Sequence, residues 1–191
     1  MRLQLPDGVA RRLGGRVKPS TIIVTVASVL LAIFAVVVLT SGTSSGSAQL
    51  RSAQPFSLGE LGHPSTQISL SGYAGRPVIV NFFASWCGPC KQETPLLAQF
   101  YRSHHGKVVV VGIDDNDQTS KALAFTRENR ADYPIGVDPQ ASVATLYGVG
   151  GLPQTFFLNA NHQIVRHIYG RLTAKELDSW ATDLSYDTGS S

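Results

Sequence analysis

The sequence predicts an α/β domain in which a mixed central sheet is flanked by helices. Apolar strand patterns alternate with helical patterns, the middle strands are apolar on both faces, and the chain closes with a hairpin and a helix. Fully apolar strands are typical of central positions, and alternation with helices favours a layered fold. With 191 residues, 43% of them hydrophobic, the chain can form one domain and an additional segment.

The first strands are short and precede the centre of the sheet. Apolar stretches at 56–58 and 67–70 flank turn residues at Gly62-His63-Pro64, so we predict an N-terminal β-hairpin extension. A turn at 72–75 leads to a run at 77–83 that is rich in β-branched and aromatic residues. That composition predicts a buried strand.

Helical spacing of apolar residues predicts a helix from 88 to 104, which Pro95 should kink because its ring clashes with the carbonyl four residues back. The stretch 108–113 is wholly apolar and predicts a second central strand. The same periodicities predict the remaining elements in this order: a helix at 120–129, a strand at Ile135, a helix at 141–147, hairpin strands at 154–158 and 163–169, and an amphipathic helix at 173–185.

Positive charge is concentrated at the N-terminus. Residues 1–19 carry a net charge of +4 and the whole chain +3, so the remainder is close to neutral, at −1. A protein that binds nucleic acid needs a basic face on its folded domain. The charge distribution therefore argues against nucleic acid as a partner.

An uncharged stretch of 18 residues, from Ile22 to Leu39, follows the basic segment and is long enough to span a bilayer. The cationic residues before it predict that the N-terminus is cytoplasmic and the domain extracytoplasmic. A cleaved signal peptide is the alternative, because Gly46-Ser47-Ala48 offers the small residues that a signal peptidase prefers. We predict a single-pass cell-membrane protein with these parts: a cytoplasmic basic segment at 1–19, a transmembrane signal anchor at 20–40, a flexible linker at 41–53, the domain at 54–186 and a tail at 187–191.

The only two cysteines, Cys87 and Cys90, stand between the strand at 77–83 and the helix that follows. A Cys-x-x-Cys pair in this position is a redox signature. The N-terminus of a helix stabilises a thiolate, so Cys87 is the expected nucleophile and Cys90, about one turn further on, resolves the mixed disulfide. Pro89 fits an early helical position because its missing N–H has no intrahelical acceptor.

Two other interpretations of the cysteine pair are a structural disulfide and a metal site. A disulfide across two intervening residues closes a very short loop and constrains the unfolded chain little. A metal site needs more ligands, and His162 and His167 are distant in sequence from Cys90.

The segment from Asn81 to Lys91, Asn-Phe-Phe-Ala-Ser-Trp-Cys-Gly-Pro-Cys-Lys, together with Pro95, resembles the active site of the thioredoxin superfamily. Two further features are similar to its membrane-tethered TlpA/ResA/DsbE branch: the segment 148–153, Gly-Val-Gly-Gly-Leu-Pro, and Glu93. The similarity covers roughly residues 54–184. It implies a thioredoxin-like fold for the domain.

The resemblance also implies roles for individual residues. Glu93 would take the proton that Cys90 must lose, although an acid in the first turns is also favoured by the helix dipole alone. Asn81 stands where cytoplasmic thioredoxins carry a buried aspartate, so Glu93 would act as the only carboxylate. Family members have a cis peptide bond before the residue that corresponds to Pro153, and the backbone of the preceding residue, here Leu152, pairs with substrate. The residues expected to support the site are Trp86, Gly88, Pro89 and Pro153.

The acidic run Asp114-Asp115-Asn116-Asp117 suggests calcium by composition, but Ser120 stands at the sixth position of the loop, where an EF-hand needs glycine. We predict a solvated loop leading into the next helix and no metal site. Gln154 differs from the glutamate that some cytochrome-maturation members carry at this position, which weakens the transfer of their substrate to this chain.

By resemblance, the protein is an extracytoplasmic thiol–disulfide oxidoreductase that reduces exported cysteine-containing proteins, for example apocytochrome c. It would need no cofactor beyond its own Cys87–Cys90 disulfide, and a membrane thiol–disulfide electron donor would restore the dithiol. Gly88-Pro89 is the dipeptide of reducing thioredoxins, with oxidation of exported proteins as the alternative direction. Two further classes stay open: a peroxiredoxin-like peroxidase, which would need threonine where Ala84 stands, and a metal carrier of similar fold.

Overall fold

The computed structural model of the protein describes residues 30–34, 50–104 and 106–187. Residues 30–34 are helical. The rest of the predicted anchor at 20–40, the basic segment 1–19 and the first part of the linker lie outside the described residues, as do residues 188–191 of the tail. In the ranges that the structure describes, no helix has both the length and the apolar composition needed to cross a membrane.

Seven strands in the described part of the chain form one mixed sheet. They are β1 (Ser57–Glu60), β2 (His63–Ser69), β3 (Val78–Phe83), β4 (Val109–Asp115), β5 (Ile135–Asp138), β6 (Gln154–Leu158) and β7 (Ile164–Tyr169). Their order in the sheet is β2-β1-β5-β4-β3-β6-β7. β3 pairs with β4 and β4 with β5 in parallel, and the remaining pairs are antiparallel.

Four helices cover the sheet: α1 (Gly88–His104), α2 (Thr119–Glu128), α3 (Ser142–Tyr147) and α4 (Ala174–Asp187). Side chains of α1, α2 and α4 share one apolar cluster with the sheet, which includes Leu97, Phe125 and Trp180. The other face packs on α3 and on the N-terminal segment, through Tyr147 and Phe56. The predicted fold class, a thioredoxin-like mixed sheet between helices with an N-terminal hairpin, is confirmed.

The centre of the sheet follows from composition. Every residue of β3 is buried, and so is every residue of β4 from Val109 to Asp114. Gly112 of β4 lies where a Cβ atom would come within 2.9 Å of Phe83 and 3.1 Å of Tyr133, so a larger residue would displace those rings. Because β3 and β4 are parallel neighbours, the loops that follow them leave the sheet at the same edge.

Two sequence-based boundaries need correction. The sequence predicts a linker that extends to residue 53, but Ile164 donates its N–H to the carbonyl of Arg51, and Ala53 donates to His162. Residues 51–53 therefore pair along the edge of β7, where the backbone groups of that strand would otherwise lack partners. The hairpin turn is also shorter than the sequence predicts, because β2 begins at His63.

The acidic run is the third correction. The sequence predicts a solvated loop here, but β4 continues through Asp114 and Asp115, which pair with β5. The Asp114 side chain is fully buried. The ladder with β5 extends the strand by two residues, and only Asn116 and Asp117 of the run remain in the connection to α2.

Candidate active site

The two cysteines form a disulfide at the edge of the sheet where β3 ends, with their Cα atoms 5.3 Å apart. Cys87 is the last residue before α1, and Cys90 lies in its first turn. The backbone N–H of Cys90 donates to the Sγ atom of Cys87 at 3.2 Å. This N–H group belongs to the first turn of α1 and has no acceptor within the helix. It therefore points at the sulfur that we expect to be the nucleophile.

Both sulfurs are shielded from solvent in the disulfide form. Cys87 is 4% exposed and Cys90 is fully buried. The difference agrees in direction with an attacking and a resolving cysteine, because only Cys87 presents surface to a partner. In contrast, Trp86, Gly88 and Pro89 around them are exposed, with Trp86 at 62%.

Glu93 lies one turn after Cys90 and is fully buried. One carboxylate oxygen accepts a hydrogen bond from the Asn81 side-chain amide at 2.7 Å, and the other accepts from the Leu172 backbone N–H at 2.6 Å. The same amide nitrogen of Asn81 also donates to the Thr155 hydroxyl at 3.0 Å. Strands β3 and β6 and the segment before α4 therefore hold this carboxyl group in one place.

The pKa of Glu93 is raised to about 7, first because burial disfavours the carboxylate. The hydrogen bonds from Leu172 and Asn81 and the positive charge of Arg171 act in the opposite direction. A carboxyl group that titrates near neutral pH can both accept and return a proton under physiological conditions. The role predicted for Glu93, taking the proton of the Cys90 thiol one turn earlier in α1, needs a group of this kind.

The peptide bond between Leu152 and Pro153 is cis, as the resemblance implied. Pro153 immediately precedes β6, in which Gln154 pairs with Phe82 of β3. The proline therefore lies at the edge of the sheet from which the chain leads to Cys87. Leu152 is half-buried, and its pairing with a substrate backbone stays a prediction.

The loop after β4 contacts the loop that carries the nucleophile. Ser85 donates its backbone N–H to a carboxylate oxygen of Asp117 at 2.6 Å. The indole N–H of Trp86 points at the Asn116 carbonyl, at 3.4 Å. Sequence reasoning did not identify these contacts, since Ser85 and Asp117 are 32 positions apart in the chain.

Two further residues of the site were missed or given no role. From the sequence, Asn81 is only an amide that cannot take a proton, whereas in the structure it donates to Glu93. A single polar residue in an otherwise apolar strand was the signal for this contact, since a buried amide needs a partner. Leu172 carried no such signal, because it acts through its backbone.

The histidines that were considered as metal ligands contact separate partners. One ring nitrogen of His162 lies 3.2 Å from the Tyr73 carbonyl, and one of His167 lies 2.9 Å from the Gln154 side-chain oxygen. In the part of the chain that the structure describes, no three His, Cys, Asp or Glu side chains are grouped as metal ligands.

Comparison with known proteins agrees with this geometry. A sequence profile of the AhpC/TSA family matches residues 51–168. The thiol-disulfide oxidoreductase ResA of Oceanobacillus iheyensis is 31% identical over 119 residues, which are 62% of this chain and 62% of that protein. The chain thus covers less than two thirds of the length of this relative.

Solved structures show the same fold. A secreted thiol-disulfide isomerase from Corynebacterium glutamicum superposes with a TM-score of 0.67 at 26% identity, over 72% of this chain and 87% of that one. StoA from Bacillus subtilis superposes with a TM-score of 0.58 at 27% identity, over 68% of this chain and 97% of that one. Both similarities are limited to part of this chain, whereas they include most of each neighbour.

Proposed function

The chain belongs to the AhpC/TSA family, and we propose that it is an extracytoplasmic thiol–disulfide oxidoreductase that reduces disulfides in exported proteins. The observation that carries this proposal is the Cys87–Cys90 pair at the start of α1, with the buried carboxyl group of Glu93 one turn further on. Relatives named thiol-disulfide oxidoreductase support the reaction class.

The reaction begins with the reduced protein. The Cys87 thiolate attacks one sulfur of a client disulfide and forms a mixed disulfide, and the other client sulfur leaves as a thiolate that takes a proton from solvent. Glu93 accepts the proton of the Cys90 thiol. The Cys90 thiolate then attacks the Cys87 sulfur, the Cys87–client bond breaks, and the second client sulfur leaves as a thiolate that takes up a proton, which Glu93 can return.

The products are a client dithiol and the Cys87–Cys90 disulfide, so two electrons move from the protein to the client. A second cycle needs a dithiol donor, and a membrane thiol–disulfide protein would supply these electrons to an extracytoplasmic domain. The protein then requires no cofactor apart from its own cysteine pair.

The proposed location depends on the anchor at 20–40 with residues 1–19 in the cytoplasm. The charge asymmetry around the apolar stretch supports this orientation, and a relative described as secreted agrees with it. Exported cysteine-containing proteins are then the clients, with apocytochrome c as one candidate. Protease added to spheroplasts should remove the domain and leave residues 1–19 protected.

The direction and the client are tested by trapping. In Cys90→Ser the mixed disulfide on Cys87 cannot be resolved, so clients should accumulate as adducts that mass spectrometry identifies. Recovery of cytochrome c precursors would support the proposed reductase. A broad set of secreted cysteine proteins would instead favour the opposite direction, oxidation of exported chains.

The control is the double variant Cys87→Ser, Cys90→Ser. It should fold as the single variant does, but it has no cysteine nucleophile. Adducts that also form with this variant are not products of Cys87 chemistry. If the single variant yields no more adduct than the double variant, the protein neither reduces nor oxidises exported proteins through Cys87, and the proposed function is wrong.

A further inference from the structure

The acidic corner, which we define as Asp114, Asp115, Asn116 and Asp117, takes no part in the reaction described above, yet it contacts the chain next to the nucleophile. The Asp117 carboxylate accepts two backbone hydrogen bonds, from Ser85 at 2.6 Å and from Gln118 at 2.7 Å. The bond from Gln118 is local, whereas the bond from Ser85 joins the acidic corner to the active-site loop. Asp117 therefore fixes one loop to the other.

The turn from Ser85 to Cys87 is also held by the Cys87–Cys90 disulfide and by the Cys90 N–H, which donates to the Cys87 sulfur. Cys87 donates its N–H to the Ala84 carbonyl at 3.1 Å, which closes the turn on itself. The indole of Trp86 contacts the Asn116 carbonyl only at 3.4 Å, and its ring is 62% exposed. Of the contacts between this turn and the acidic corner, the bond to Asp117 is the short one, and it involves a charged acceptor.

The buried carboxyl group of Asp114 interacts with the Asp117 side chain. The carboxyl oxygens of Asp114 are buried and receive no hydrogen bond from an N–H or O–H group of the described residues. Burial, first, and then the charges of Asp117 and Asp115 raise the pKa of Asp114 to about 7 and favour its protonated form. Below about pH 7, a protonated Asp114 can donate to a carboxylate oxygen of Asp117.

We propose that Asp117 is a positioning residue for the nucleophile: its carboxylate holds the Ser85 amide, and through it the turn that places the Cys87 sulfur at the N-terminus of α1. The inference rests on the proposed function, since it assigns to Asp117 the orientation of the cysteine that attacks. It adds a residue that lies outside the Cys-x-x-Cys segment and belongs to a different strand connection.

Positioning and plain charge predict opposite changes in the thiol pKa of Cys87. If Asp117 acted only by its negative charge, its removal would favour the thiolate and lower the pKa. If Asp117 positions the turn, its loss weakens the alignment of the sulfur with the Cys90 N–H, and the pKa rises toward the ordinary thiol value of about 8.5. The sign of the change in the Cys87 pKa therefore distinguishes positioning by Asp117 from an effect of its charge alone.

The experiment measures the alkylation rate of the reduced full-length protein with iodoacetamide from about pH 5 to about pH 10, with Cys90 replaced by serine in every variant so that only Cys87 reacts. Asp117→Ala should raise the pKa of Cys87 by at least half a unit. Asp117→Asn, which keeps an oxygen that can accept from Ser85, should restore a pKa at or below that of the parent. Asp178→Ala removes an exposed carboxylate from α4 and should leave the profile unchanged.

A lowered or unchanged pKa in Asp117→Ala overturns the proposal. If that variant does not fold, amide exchange in the parent decides: the Ser85 N–H should exchange at least ten times more slowly than the Gly88 N–H in the first turn of α1. Equal exchange of these two amides would also overturn the proposal. Because iodoacetamide needs no client, the result does not depend on whether the trapping experiment finds one.

Discussion

Two buried carboxyl groups near the active site, Glu93 and Asp114, are held in opposite ways. Both side chains are fully buried, and the pKa of each is raised to about 7. Glu93 accepts a hydrogen bond on each oxygen, from Asn81 and Leu172. Burial is the main cause of the raised pKa at both sites. Asp114 accepts no hydrogen bond from an N–H or O–H group of the described residues, and the neighbouring carboxylates of the acidic corner disfavour its charged form further.

The two carboxyl groups thus reach a similar pKa in different hydrogen-bonding surroundings. The donors around Glu93 stabilise its carboxylate, so this group can lose a proton without leaving a buried charge unpaired. Such a site suits a residue that must change protonation in each reaction cycle. The surroundings of Asp114 stabilise the neutral acid, which suits a structural role next to Asp117.

The largest effect is expected from Glu93→Gln. Without a proton acceptor, the attack of Cys90 on the mixed disulfide should slow by about 100-fold or more, while the first attack by Cys87 keeps its rate. Stopped-flow release of a thiol from a preformed mixed disulfide measures this step. Glu128→Gln, at the exposed end of α2, is the matched control. An unchanged release rate in Glu93→Gln would show that Glu93 does not take the proton of Cys90.

A smaller effect is expected when a donor is removed from Glu93. Asn81→Ala deletes the hydrogen bond that lowers the pKa of Glu93, so this pKa should rise further, by about one unit for a bond to a charged group. The pH at which thiol release reaches half its maximal rate should move upward by the same amount. Asp114→Asn should leave that midpoint in place, and equal shifts in both variants would remove the distinction between the two carboxyl sites.

The smallest effect concerns stability. Since the folded pKa of Asp114, about 7, lies above the unfolded value of about 4, the folded state binds the extra proton between these pH values. The stability that this proton provides is fully present below about pH 4 and is lost as pH rises through about 7. Asp114→Asn should remove this loss and be more stable than the parent at about pH 8, by about 1 to 3 kcal/mol.

Urea unfolding at about pH 5 and about pH 8 measures the free energy of unfolding of each variant. Glu93→Gln is measured in the same way and compared with Asp114→Asn. The amide that Asp114→Asn introduces can donate to Asp117. In contrast, the amide nitrogen that Glu93→Gln introduces would face one of the donors from which Glu93 now accepts, which costs stability. Glu93→Gln should therefore gain less at the higher pH than Asp114→Asn. A larger gain for Glu93→Gln would contradict the assignment of donors to one site and repulsion to the other.

Much of this molecule was determined by its sequence alone. The apolar runs of β3 and β4 have one stable location, a central position covered on both faces, and helical spacing of apolar residues defines the helices that cover them. The Cys-x-x-Cys pair between a strand and a helix predicts both the chemistry and the order in which Cys87 and Cys90 react. The role of Glu93 was predicted from its position one turn after Cys90 together with the family resemblance, and it stays a prediction.

Only the tertiary structure decided which groups surround these residues. The backbone of Leu172 reaches Glu93 from 79 positions away, and a backbone N–H leaves no trace in the residue type. The acidic run was predicted to be a solvated loop leading into a helix, yet Asp114 pairs with β5 and is buried. Local periodicity reports which face of an element is apolar, whereas the burial of a polar side chain at a strand end depends on the neighbours that the fold brings to it.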